Sequence, residues 1–102
     1  VKRLRVFISA AVYGQIEEIV NYIALDSVDN AVAWQERLLF ALNALSEKHG
    51  HAIDEAASKR IGHRIRKTVF ERTYLIHYLV GPAQVDVVNI RHGARLPREG
   101  EP

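Results

Sequence analysis

Two apolar runs near the end of this 102-residue chain, Thr73 to Val80 and Gln84 to Arg91, stand on either side of Gly81-Pro82. Each is short, rich in β-branched and aromatic residues and bounded by turn signals, which is the pattern of a strand. Proline fixes φ and glycine tolerates angles that other residues resist, so the dipeptide predicts a tight hairpin. Ile61 to Phe70 reads as a third strand of the same kind. Three consecutive strands need a second layer to bury their apolar face, and the first half of the chain has the periodicity to supply it.

Leu4, Val6 and Ile8 alternate with Arg3, Arg5 and Phe7, the period of two of a short strand with one buried face. Ser9 stands at an N-cap position, and the apolar spacing then turns helical: Val12, Ile16, Ile19, Val20 and Ile23 form one stripe, predicting a helix over Ala10 to Ala24. Asp26-Ser27-Val28-Asp29-Asn30 is a turn-and-cap cluster. Ala31, Trp34, Leu38, Ala41, Leu42 and Leu45 define a second stripe, predicting a helix from Asn30 to His49 with Gly50 as its left-handed stop. The connection is short, so the two helices form an antiparallel hairpin. Residues 50 to 60 show no strong stripe and read as a loop. The expected class is α+β, ordered β-α-α-β-β-β, with the hairpin packed on a mainly antiparallel sheet of about four strands.

A length of 102 residues suits one core, and 48% hydrophobic with 25% charged residues is ordinary for an ordered globular chain. We expect one domain over residues 1 to 95 and a polar tail over residues 96 to 102. No apolar run approaches the ~20 residues of a bilayer span, and the stretch after Val1-Lys2-Arg3-Leu4-Arg5 is too short for a signal peptide. A cytoplasmic location and no membrane partner are therefore expected. The chain has no cysteine, which excludes disulfides, thiol catalysis and cysteine-ligated metals.

Charge is unevenly divided. Residues 1 to 59 are net −2, residues 60 to 95 carry seven Lys/Arg against two Asp/Glu, and residues 96 to 102 are net −1. A basic segment of this kind suits an acidic or polyanionic partner. Of the five histidines only His49 and His51 are close in sequence, and no metal-ligand motif is present, so no metal and no cofactor are expected. No serine triad or glycine-rich phosphate loop stands out. The basic set is the better candidate: Arg64, Arg66, Lys67, Arg72, Arg91, His92 and Arg95. A metal-free ribonuclease needs proton carriers and cations around the phosphorus, and Arg66, Lys67, Arg95 and His92, or His77, have that chemistry. The bland alternative is a soluble basic sheet face. Trp34 lies on the apolar stripe and is expected in the core, and Tyr74 and Tyr78 share the strand face of Ile76, expected beneath the helices.

The element order resembles that of the RelE/ParE superfamily of bacterial toxins. The resemblance is carried by the helix pattern with Tyr22, Ala31 and Trp34, by the block Arg64 to Tyr78, and most specifically by Ile90-Arg91-His92-Gly93-Ala94-Arg95-Leu96-Pro97, similar to the closing strand of ParE-like members. RelE-like members cleave messenger RNA on the ribosome; ParE-like members poison DNA gyrase. Arg95 lies where the nuclease branch holds an active-site arginine, and Arg66 near one of its basic positions. Leu75, however, follows Tyr74 where that branch commonly has arginine, and no tyrosine follows Tyr78. The resemblance is therefore closest to the ParE-like branch. It implies a type II toxin that inhibits gyrase by binding rather than by catalysis, arresting growth until the C-terminal segment of a cognate antitoxin neutralises it. The residues expected to carry toxicity are Arg64, Arg66, Arg91, His92 and Arg95. The alternative is a metal-independent, ribosome-dependent endoribonuclease using Arg66, Lys67, His92 and Arg95.

Overall fold

The computed structural model describes residues 3–102; Val1 and Lys2, at the start of the basic N-terminal stretch, lie outside the described residues. Among the described residues the order is β1 (Arg5–Ile8), α1 (Ala10–Ala24), α2 (Val28–Ala44), α3 (Glu55–Ile61), β2 (Arg66–Phe70), β3 (Tyr74–Val80) and β4 (Gln84–His92). The strands form one sheet in the order β1-β4-β3-β2, with β1 parallel to β4 and the other pairs antiparallel. This is the expected α+β architecture with one more helix. Helices α1 and α2 both lie between β1 and β4 in the chain, which is the long connection that a parallel pair requires.

The first helix has the predicted bounds. Ser9 Oγ accepts from the Val12 N–H at 3.2 Å, and Val12 and Ile16 are buried on the stripe. Ser27 caps α2 in the same way, accepting from Asn30 N–H. The second helix ends five residues before His49, and Gly50 plays no left-handed part. Instead Leu45 and Ser46 N–H groups donate to Leu42 and Asn43 carbonyls in a tightened last turn, while the Ser46 carbonyl accepts from Leu4 N–H. The N-terminal segment thus claims the backbone that another helical turn would have used.

Helix α3 falls in the region expected to be a loop. Its N-cap is Asp54, whose Oδ1 accepts from Ala57 N–H at 3.0 Å, and it stops at Gly62 with φ +81°. Lys59 and Arg60 sit in its last turn, where cations favour the helix dipole. A seven-residue helix needs little burial to dock, and fully buried Ala57 is enough, which is why no stripe announced it.

The core lies between α1/α2 and one sheet face: Leu4, Val12, Ile16, Trp34, Leu38, Leu42, Leu45, Ile76, Tyr78, Val85, Val87 and Ile90. Trp34 is in it, edge-on to Tyr74 at 5.1 Å and to Phe70 at 5.9 Å. A β-bulge decides what else enters. Tyr78 pairs with Val87 but His77 pairs with Asn89, leaving Val88 as the extra residue. Directly opposed residues share a face, so the bulge turns Ile90 inward with Ile76 and sends Asn89 and Arg91 to the outer face with His77 and Leu75.

Candidate functional site

The outer face has a polar centre in which each orientation is determined by the last. Ile90 N–H donates to Gln15 Oε1 at 2.9 Å, so the other end of that amide, Nε2, must donate, and it does so to Asn89 Oδ1 at 3.0 Å. Asn89 Nδ2 then donates to His77 Nδ1 at 3.1 Å, and His77 Nε2–H donates to Asp54 Oδ2 at 3.0 Å. A carboxylate can only accept and an amide NH2 can only donate, so His77 is the neutral tautomer with its proton on Nε2. Burial pushes the His77 pKa down, outweighing the Asp54 carboxylate that would raise it. Burial also works to raise the Asp54 pKa, but Ala57 N–H, His77 and the Lys67 charge outweigh it and hold the carboxyl below its ordinary value. Both His77 ring nitrogens are engaged, which makes this histidine a tie between α1, β3, β4 and α3 rather than a free proton carrier.

The basic residues form two groups. Arg66, at the start of β2, donates from Nη1 to the His51 carbonyl at 2.6 Å, beside buried Tyr78, whose hydroxyl meets His51 Nδ1 at 2.7 Å. Lys67 is in the row of His77 and Asn89, and Arg64 borders a shallow cleft with Lys59, Gly62 and His63. Arg91, His92 and Arg95 gather at the far end of β4. The row of Tyr78 and Arg66 is four steps along β3 from the row of Tyr74 and His92, roughly 13 Å at strand spacing. The structure therefore brings Arg91, His92 and Arg95 together and leaves Arg64, Arg66 and Lys67 apart from them.

At the β4 end, His92 lies exposed on the helix side, its ring edge-on to Tyr74 at 5.7 Å, and its Nδ1 accepts from Ala94 N–H at 3.1 Å. The strand stops there, and Gly93-Ala94-Arg95 form a turn. Gly93 N–H donates to the Thr73 carbonyl at 2.8 Å, and a Cβ on Gly93 would come within 3.2 Å of that oxygen, so the close approach suits glycine. Arg91 is 7% exposed; its Nη1 donates to the Arg95 carbonyl and its Nε has no hydrogen-bond partner among the described residues. Burial, followed by the Arg95 and Arg60 charges, pushes its pKa down, and among the described residues it is a cation without a direct ion pair.

β4 outruns β1: the last paired row is Ile8 with Val87. Beside the unpartnered stretch lies an open cavity of about 440 Å³, lined by Gln15, Glu18, Ile19 and Tyr22 of α1, Thr73 and Tyr74, Ile90 to His92, and Arg95 and Arg98. Of these, Gln15 and Arg98 carried no functional signal in the sequence, because it is the early end of β1 that opens the space they share. Among the described residues no cluster of His, Asp or Glu has the makings of a metal site.

Residues 6–97 match the family described as ParE toxin of type II toxin-antitoxin system, parDE. The chain belongs to the ParE toxin family. As a ParE-family protein it is a toxin of the type II class, and the class implies an antitoxin partner. No curated protein matches the chain. The match spans both hairpin helices, the sheet except for Arg5, and the His92-Gly93-Ala94-Arg95 turn, so the ParE-family region contains the basic end of β4 and stops short of Arg98 and Glu101. No helix among the described residues is long and apolar enough to cross a membrane.

Proposed function

We propose that this protein arrests growth by binding DNA gyrase, acting in the cytoplasm as an inhibitor rather than as a nuclease. The observation that carries this reading is the separation of the basic residues. A metal-free nuclease must set its proton carriers and cations around one phosphate, with charge-stabilising donors about 3 Å from the reacting oxygens. Arg66 and Lys67 are rows away from His92 and Arg95, Arg66 is bound to the His51 carbonyl, and His77 has no free nitrogen. That distribution supports recognition of a protein surface over phosphate chemistry. Toxicity would then reside mainly in Arg91, His92 and Arg95, with Arg64 and Arg66 as a second contact.

The antitoxin would neutralise the chain with its C-terminal segment, as a helix against the α1/α2 hairpin and an extended stretch along the sheet. Tyr22, Leu25, Val28, Val32 and Phe40 are exposed apolar side chains of the hairpin and its turn, and a hollow of about 500 Å³ beside Leu4, Val6 and Phe40 offers a seat for an apolar anchor. The test is pulse labelling of bacteria within minutes of inducing the chain alone. Thymidine incorporation should fall first. An earlier fall in amino-acid incorporation would point instead to ribosomal RNA cleavage, and unimpaired growth would sink the toxin reading altogether.

A further inference from the structure

The cavity beside β4 has an excess of cations: Arg91, Arg95 and Arg98 line it against the single carboxylate of Glu18. Three of its lining residues already hold an anion supplied from within the chain. Glu101 Oε1 accepts from Arg95 Nη2 at 3.1 Å and from Arg98 N–H at 2.9 Å, and Glu101 Oε2 accepts from Gln15 Nε2 at 3.4 Å. Burial disfavours the charge on Glu101, but the Arg98 N–H and the Arg95 guanidinium outweigh it and hold the carboxyl below its ordinary value. Gln15 is no chance neighbour, since its amide is oriented by Ile90 N–H and Asn89.

The segment carrying Glu101 is held at few points. Leu96 is 83% exposed, and the attachments are the polar contacts of Glu101, the Arg60 donation to the Pro102 carbonyl and the burial of the one small Pro102 ring. Partly exposed ion pairs of this kind add little to stability, so the segment can leave at small cost. Glu101 also lies beyond residues 6–97, so the contact belongs to this chain rather than to the matched family region.

We propose that the hollow beside the free end of β4 is a carboxylate-binding site, filled from within by Glu101, whose external ligand is an extended acidic peptide segment that displaces residues 96–102. A carboxylate fits because a carboxylate already satisfies the Arg95, Arg98 and Gln15 donors. Glu18 on the same wall disfavours a nucleic-acid strand, which brings a negative charge at every step, more than a peptide whose acidic residues alternate with neutral ones. The inference rests on the toxin reading in one respect, that the neutralising antitoxin is the natural bearer of such a segment.

The experiment titrates the full chain against an end-capped, dye-labelled hexapeptide of alternating alanine and glutamate, read by fluorescence anisotropy. Removing the internal competitor in Glu101→Gln should tighten binding about fivefold, the factor by which a closed segment held by a modest ion pair reduces the competent population. Arg95→Gln should weaken it by at least about fivefold, and the peptide with glutamine for glutamate should not bind. Equal affinity of wild type and Glu101→Gln, equal affinity for the two peptides, or binding of a labelled hexathymidylate in place of the acidic peptide would each overturn the proposal. Growth assays read the toxin assignment separately: a harmless chain that binds the acidic peptide as described sinks the assignment alone, and a toxic chain with a flat Glu101→Gln titration sinks only the carboxylate site.

Discussion

The two faces of the sheet are built on opposite principles. The inner face packs Ile76, Tyr78, Val85, Val87 and Ile90 against the helical hairpin, with aliphatic and aromatic contacts that are non-directional and tolerate small shifts. The outer face holds Lys67, His77, Asn89 and Arg91, and His77 and Asn89 are tied by directed hydrogen bonds that run from Ile90 N–H through Gln15, Asn89 and His77 to Asp54. The first face supplies most of the stability. The second determines how four elements meet at the basic end of β4, and its protonation states make it the acid-sensitive half of the molecule.

Ile90→Asp is the most severe way to break this contrast. It puts a carboxylate on the inner face, opposite Ile76, at a position that is 1% exposed. We expect a loss above about 4 kcal/mol, enough to leave no cooperative denaturant transition. A native-like transition in this variant would show that β4 can slip and turn residue 90 to the outer face.

Leu38→Ala tests the apolar face alone. Leu38 is fully buried, and the loss should fall within about 2–5 kcal/mol by urea denaturation, with little dependence on pH.

His77→Phe tests the polar face and should cost about 2 kcal/mol at neutral pH by leaving Asp54 Oδ2 and Asn89 Nδ2 without their partner. Its more telling effect is on pH dependence. The folded His77 pKa is depressed, so below about pH 6.5 the unfolded chain takes up a proton that the folded chain refuses, and wild-type stability falls as the pH drops through that region. The folded Asp54 pKa is also depressed; its contribution is present above about pH 4 and is lost as pH falls through the lower folded value. His77→Phe should remove the first decline and leave an acid decline near the Asp54 range. An unchanged profile between pH 7 and pH 5 would mean that His77 is not the group responsible.

The smallest effect is a gain. Glu71 and Arg72, in the β2–β3 turn, have φ of 51° and 59°, a left-handed conformation that costs a side-chain-bearing residue about 1 kcal/mol. Glu71 is engaged with Arg37 at 2.6 Å, so Arg72→Gly is the cleaner probe. It should raise stability by at most about 1 kcal/mol, measured as a higher urea midpoint. A loss would show that Arg72 makes a compensating contact.

Helix α1, the α2 stripe and the β3–β4 hairpin were legible because their signals are local: a capping serine, a repeat of three and four, a glycine-proline turn. The same locality hid α3, whose Asp54 cap and Gly62 stop were present in sequence but whose docking needs only one alanine. It also left the basic residues as one set, since sequence spacing does not reveal which strand ends are neighbours.

What the sequence determined by itself was the four strands, the two hairpin helices with their apolar faces and the chemistry available at Arg91, His92 and Arg95, because periodicity and side-chain type are properties of short stretches. Only the tertiary structure decided that β1 pairs parallel with β4 and stops at Ile8, that Val88 bulges so that Asn89 meets His77 and His77 meets Asp54, and that Glu101 returns to Gln15 and Arg95. Apart from Arg95 and Glu101, these contacts join residues from 12 to 86 positions apart. Their geometry follows from how the layers close over one core, which no local pattern encodes.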